Sequence, residues 1–87
     1  MKTKTKEQKL PKWFDGKIYD EGLIVENPFS KEEYELNNVE LSVYDFIIGS
    51  NLLYESGSAS NKVVTELRKG LDWFRRNNAE AYMALLD

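Results

Sequence analysis

The chain has 87 residues, 41% hydrophobic and 31% charged, with a formal net charge of −3, which fits one soluble globular domain and leaves no room for two. It contains neither histidine nor cysteine. Histidine-based triads, catalytic thiols, imidazole or thiolate zinc sites, c-type haem attachment and disulfides are thereby excluded.

The charge is segregated along the chain. Residues 1–17 carry six lysines against Glu7 and Asp15, whereas residues 18–60 carry Lys31 against nine carboxylates. The opening Met1-Lys2-Thr3-Lys4-Thr5-Lys6-Glu7-Gln8-Lys9 has no apolar periodicity, so residues 1–9 are expected to form a disordered basic tail and residues 10–87 a single domain. Alternating Lys and Thr attracts phosphate diffusely but reads no base, so nucleic acid is not the expected partner. Apolar runs such as Phe46-Ile47-Ile48 fall far short of the roughly 20 residues of a membrane span. No apolar stretch of signal-peptide length follows the basic start, so an intracellular protein is expected.

Order should begin at Leu10-Pro11-Lys12-Trp13-Phe14, with a turn at Asp15-Gly16. Lys17-Ile18-Tyr19 and Leu23-Ile24-Val25 flank Asp20-Glu21-Gly22, a connection of hairpin length, and are read as the first hairpin. Asn27-Pro28 then breaks the second run. Asn27-Pro28-Phe29 matches a tripeptide bound by eukaryotic endocytic adaptor domains, but three residues recur too readily by chance. A rigid turn with Phe29 pinned onto the sheet is the preferred reading. Glu33-Tyr34-Glu35-Leu36 alternates as a third strand with one buried face.

Asn37 can cap a helix with Glu40 as its reciprocal partner, and Leu36 and Leu41 fall at the two positions of a hydrophobic staple. The helix should run from about Asn38 to Glu55 and stop in a flexible connection over residues 56–60. At about 100° per residue it carries two apolar stripes. Val43, Phe46, Ile47, Leu53 and Tyr54 form the wide one; Leu41, Tyr44, Ile48 and Leu52 form the second. Ser42, Asp45 and Gly49 separate them on one side. Such a helix must meet two apolar surfaces: the sheet and next helix, or one internal surface and one partner subunit.

The next helix should open at Ser60 or Asn61 and run to about Asn77, with Val63, Val64, Leu67, Leu71 and Phe74 in one stripe and Gly70 at its edge, where another backbone can approach. Trp73 falls on the charged face among Lys62, Glu66, Lys69 and Arg76. The final helix folding back over it, with neighbouring cations stacked on the ring, is the preferred reading, and a partner contact is the alternative. Asn77 or Asn78 recaps the chain for a short helix over residues 79–86.

An enzyme without histidine or cysteine would need carboxylates, tyrosine, lysine or serine. Glu33 and Glu35 share a strand face near Glu32, but exposed carboxylates are ordinarily solvated. The five glycines form no Walker A or dinucleotide-binding motif, and no EF-hand spacing occurs. No enzyme, metal or cofactor is expected.

The runs Asn27-Pro28-Phe29-Ser30, Tyr34-Glu35-Leu36-Asn37 and Tyr44-Asp45-Phe46-Ile47 with Gly49, and the closing Trp73-Phe74-Arg75-Arg76-Asn77-Asn78-Ala79-Glu80-Ala81-Tyr82-Met83, resemble small uncharacterised proteins of tailed phages infecting marine cyanobacteria. The resemblance covers nearly the whole chain. It implies a viral origin and a cytoplasmic life in the host, or a place in the virion. No functional residue carries over, because the group has no assigned activity. Similar sequences tend to show proline where Ala79 stands, which suits the first position of a helix capped by Asn78.

The expected fold is α+β: a two- or three-stranded antiparallel sheet, a helical hairpin and a short C-terminal helix. The expected function is a non-enzymatic interaction or assembly module, self-associating through the helix over residues 38–55, with Leu41, Tyr44, Ile48, Leu52 and Trp73 as candidate interface residues. The alternative is a phage effector whose acidic segment, residues 18–60, binds a basic surface on a host protein.

Overall fold

Three side-chain caps set the helical half of the molecule, which a computed structural model describes over residues 8–86. Asn37 accepts from the Glu40 amide and the Glu40 carboxylate accepts from the Asn37 amide, a complete capping box that opens α1 (Asn38–Glu55). Ser60 accepts from the Val63 amide to open α2 (Asn61–Asn77), and Asn78 accepts from the Ala81 amide to open α3 (Ala79–Leu85). The connection after α1 is a hydrogen-bonded stop rather than a plain flexible link. Gly57, at φ +80, donates to the Tyr54 carbonyl and Ser58 donates to the Leu53 carbonyl, the two bonds of a Schellman motif.

The sheet has two strands, β1 (Leu23–Glu26) and β2 (Glu33–Leu36), paired antiparallel with Leu23 opposite Leu36 and Glu26 opposite Glu33. This corrects the expected first hairpin: β1 pairs forward across residues 27–32, not back onto residues 17–19. Asn27 builds that turn by accepting from the amides of Phe29 and Ser30 while its own amide group donates to the Ala84 carbonyl. Phe29 is not pinned to the sheet; it stands 93% exposed at the turn. Residues 17–19 lie over α1 instead, where the Tyr19 amide donates to the Ser42 hydroxyl. Gly22 permits the change of direction, since a Cβ there would fall 2.0 Å from the Leu36 carbonyl oxygen.

The core joins Leu36 from the sheet, Leu41, Val43 and Ile47 from α1, Leu67 and Phe74 from α2, and Ala81 and Leu85 from α3. Trp13 and Phe14 add a lateral clamp, each with its ring centroid 5.6 Å from Phe46. Gly70 is approached by a side chain rather than by backbone: a Cβ there would lie 3.1 Å from Ile47 Cγ1. Of the expected basic tail, residues 1–7 lie outside the described residues. Gln8 is tied into the fold, donating to the Glu40 carboxylate at 2.9 Å and accepting from Asn37.

Candidate interaction surface

The two apolar stripes of α1 both exist, but their fate divides along the helix and not around it. In the first half, Leu41, Val43 and Ile47 are buried and Tyr44 and Phe46 half-buried, so both stripes are covered by the chain itself. In the second half both emerge: Ile48 is 37% exposed, Leu52 63%, Leu53 44% and Tyr54 58%. Every residue from 51 to 58 is exposed. The sheet, α3 and the Trp13–Phe14 clamp all lie against other parts of α1 and α2, leaving the far end of the α1–α2 hairpin uncovered.

Gly49 stands within this bare region. At 100° per residue, Ile48, Leu52 and Leu53 fall within about 100°, 60° and 40° of it around the axis, so the glycine lies inside an exposed apolar arc. A Cβ at Gly49 would find nothing within 4 Å. A glycine in a helix interior costs roughly 1 kcal/mol relative to alanine, and no neighbour within the described chain requires its smallness.

The candidate interface residues divide accordingly. Leu41 is 7% exposed and belongs to the core, because the capping box holds the first turn of α1 against Leu36 and α3. Tyr44 is half-buried with its ring 6.4 Å from that of Phe74, and burial raises its hydroxyl pKa above the ordinary tyrosine value. Trp73 is half-buried, packed on the core with its ring tilted against Phe74 at 6.1 Å. Its partner is that ring and not a stacked cation; the cation–π contact found among the described residues is Lys17 over Tyr19 at 4.9 Å. Ile48 and Leu52 are exposed and lie together. The sequence places Leu53 and Tyr54 in the wide stripe and Gly49 between the stripes, but does not show that all three lie at the surface; a glycine in mid-helix was the one signal available.

The opposite end of the molecule is polar. Glu40, 4% exposed, accepts from Gln8, from Asn78 and from the Asn37 amide. Tyr34 donates to Glu80 at 3.0 Å, and its pKa is raised first by burial and then by that carboxylate. An open groove of about 930 Å3 is lined by Asn37, Glu40 and Asn78 together with Asp20, Glu21 and Glu35. On the outer sheet face Glu26 stands directly opposite Glu33, beside Glu35. None of the ion pairs found among the described residues involves these sheet carboxylates, Asp20 or Glu21. Among the described residues no group of three or more carboxylates converges as a metal site, and no helix is long and apolar enough to cross a membrane.

The chain matches no protein-family model, no curated protein and no solved structure.

Proposed function

We propose that the protein is a non-enzymatic assembly module that self-associates through the second half of α1. The observation that carries this reading is Gly49 standing in open space amid exposed Ile48, Leu52 and Leu53. A second helix crossing at the glycine could approach closely and cover the surrounding aliphatic side chains, each worth about 1.5–3 kcal/mol on full burial. Leu41 takes no part, and Tyr44 and Trp73 act chiefly inside the fold. Light scattering over a micromolar concentration series should show a dimer or larger species that Leu52→Glu converts to monomer. A wild-type chain that stays monomeric throughout defeats the proposal. The sequence resemblance supports a viral origin for this module.

A second reading, the acidic segment docking on a basic host surface, finds support in Glu26 facing Glu33 across the strands. Like charges placed directly opposite destabilise a sheet, a cost that a cationic partner would relieve. Capture of a host protein should then fall with rising salt and vanish when Glu32, Glu33 and Glu35 are changed to Gln; capture unaffected by those changes counts against it.

A further inference from the structure

We infer that the outer edge of β1 takes up an extended, cationic segment of a partner protein as a third strand of the sheet. This rests on the second reading above, an acidic segment meeting a basic partner, and specifies how that partner is held. It is independent of association through α1.

The ladder between the strands determines which backbone groups are left over. The Asn27 amide donates to the Glu32 carbonyl at 2.8 Å, so these two form the hydrogen-bonded pair beside the turn. In an antiparallel ladder such pairs alternate with non-bonded ones: Val25 with Tyr34 and Leu23 with Leu36 exchange hydrogen bonds, whereas Ile24 with Glu35 and Glu26 with Glu33 do not. The amides and carbonyls of Ile24 and Glu26 therefore point away from β2. The sheet ends at β1 on this side, and no other backbone hydrogen bond found among the described residues takes up those groups. They also face solvent, since Leu23 and Ile24 are each 60% exposed and Glu26 is exposed, while α1 and α3 pack against β2. A row of free donors and acceptors two residues apart is what an added strand binds, and neither proline nor lysine within residues 23–26 blunts it.

The side chains name the occupant. Ile24 and Glu26 share the outer face with Glu35 and Glu33, and Leu23 and Val25 share the other face with Leu36 and Tyr34. In an added strand, residues opposite Ile24 and Glu26 lie on the acidic face and those between lie beside Leu23 and Val25. The matching pattern alternates basic and apolar residues. The ion pairs found among the described residues include none of Glu26, Glu33 and Glu35, and a cation placed next to Glu26 relieves its repulsion with Glu33. Antiparallel pairing with a second copy is disfavoured, because it would gather these three carboxylates from each chain on one face of the joined sheet.

The test titrates a short synthetic peptide of alternating lysine and valine, with blocked termini, into the full chain to millimolar concentration. In amide 1H–15N spectra the Ile24 and Glu26 signals should shift, and both amides should exchange with solvent about tenfold more slowly once peptide exceeds its Kd about tenfold. The amides of Leu23 and Val25, already bonded to β2, should change less. Binding should weaken as salt rises from about 10 mM to about 1 M, where the screening length falls from roughly 30 Å to roughly 3 Å. Two N-methylated peptides, one methylated at every lysine amide and one at every valine amide, keep all the charges. Only one of these sets can face β1, so one peptide should bind about tenfold more weakly and the other nearly as well as the parent. Equal losses, or no loss in either, overturn the strand pairing, while salt-sensitive binding of the parent peptide would still support the second reading. Absence of any binding by the parent peptide overturns this proposal, and the host-capture experiment then judges the second reading by itself. Protection of the Ile24 and Glu26 amides that appears on concentrating the chain without peptide assigns the edge to a second copy and overturns the cationic occupant.

Discussion

Glu40 shows how one side chain can serve several elements. It closes the α1 cap through its Oε1, while its Oε2 receives both the Gln8 and the Asn78 amide groups at 2.9 Å. Three neutral N–H donors thus hold a buried carboxylate that has no ion-pair partner among the described residues. An acceptor is needed at both oxygens. Glu40→Gln places an amide NH2 against one set of donors and should cost about 1–3 kcal/mol, measured as a lower urea midpoint with an unchanged slope. Glu40 was legible from sequence as a capping partner because its cap lies three residues away. Its bonds to Gln8 and Asn78 span 32 and 38 residues, and nothing local announced them.

Helix α1 is the element on which the functional reading depends. Its boundaries follow from local chemistry: the Asn37–Glu40 box at one end and Gly57 in the left-handed conformation at the other. Its two apolar stripes were readable from periodicity, but a helical wheel has no axial coordinate. It could not show that coverage ends near Ser50 and leaves both stripes bare beyond it. Gly49→Ala separates stability from association. Because the added methyl meets open space, the substitution should stabilise the dilute monomer by up to about 1 kcal/mol, a rise of roughly 4–8 °C in Tm, and yet weaken association by blocking the crossing point. A Tm rise accompanied by unaltered association would leave the glycine without a role at the interface.

The whole molecule is elongated, 42 × 31 × 21 Å, with Glu26, Glu33 and Glu35 on the sheet and its exposed aliphatic arc at the far end of the hairpin. Stability against alkali is a property of this whole. Tyr34 and Tyr44 both have pKa values raised in the fold, chiefly by burial, so the neutral phenol is the form the fold favours. The unfolded chain ionises first, near pH 10, so this contribution is complete below that pH and is lost as pH rises through the folded values. Denaturation midpoints measured from pH 8 upward should therefore fall above about pH 10. The fall should be shallower in Tyr34→Phe/Tyr44→Phe; an equally steep fall in that variant would exclude the two phenols as its source.

From sequence alone came the α+β class, the three helices with their caps and the strand at Glu33–Leu36, because each depends on contacts within a few residues. Tertiary structure alone decided which strand β1 pairs with, since residues 17–19 and 33–36 were both plausible neighbours by pattern. The first were drawn onto α1 by the Ser42 hydroxyl beside the Trp13–Phe14 clamp, and the second were reached across the Asn27 turn. It also decided that Phe29 stands in solvent, that Leu41 belongs to the core, and that Gln8 is tied to the Asn77 carbonyl by a bond spanning 69 residues. Such outcomes depend on how separate elements compete for the same apolar and polar surface, and that competition is settled only when the whole chain is packed.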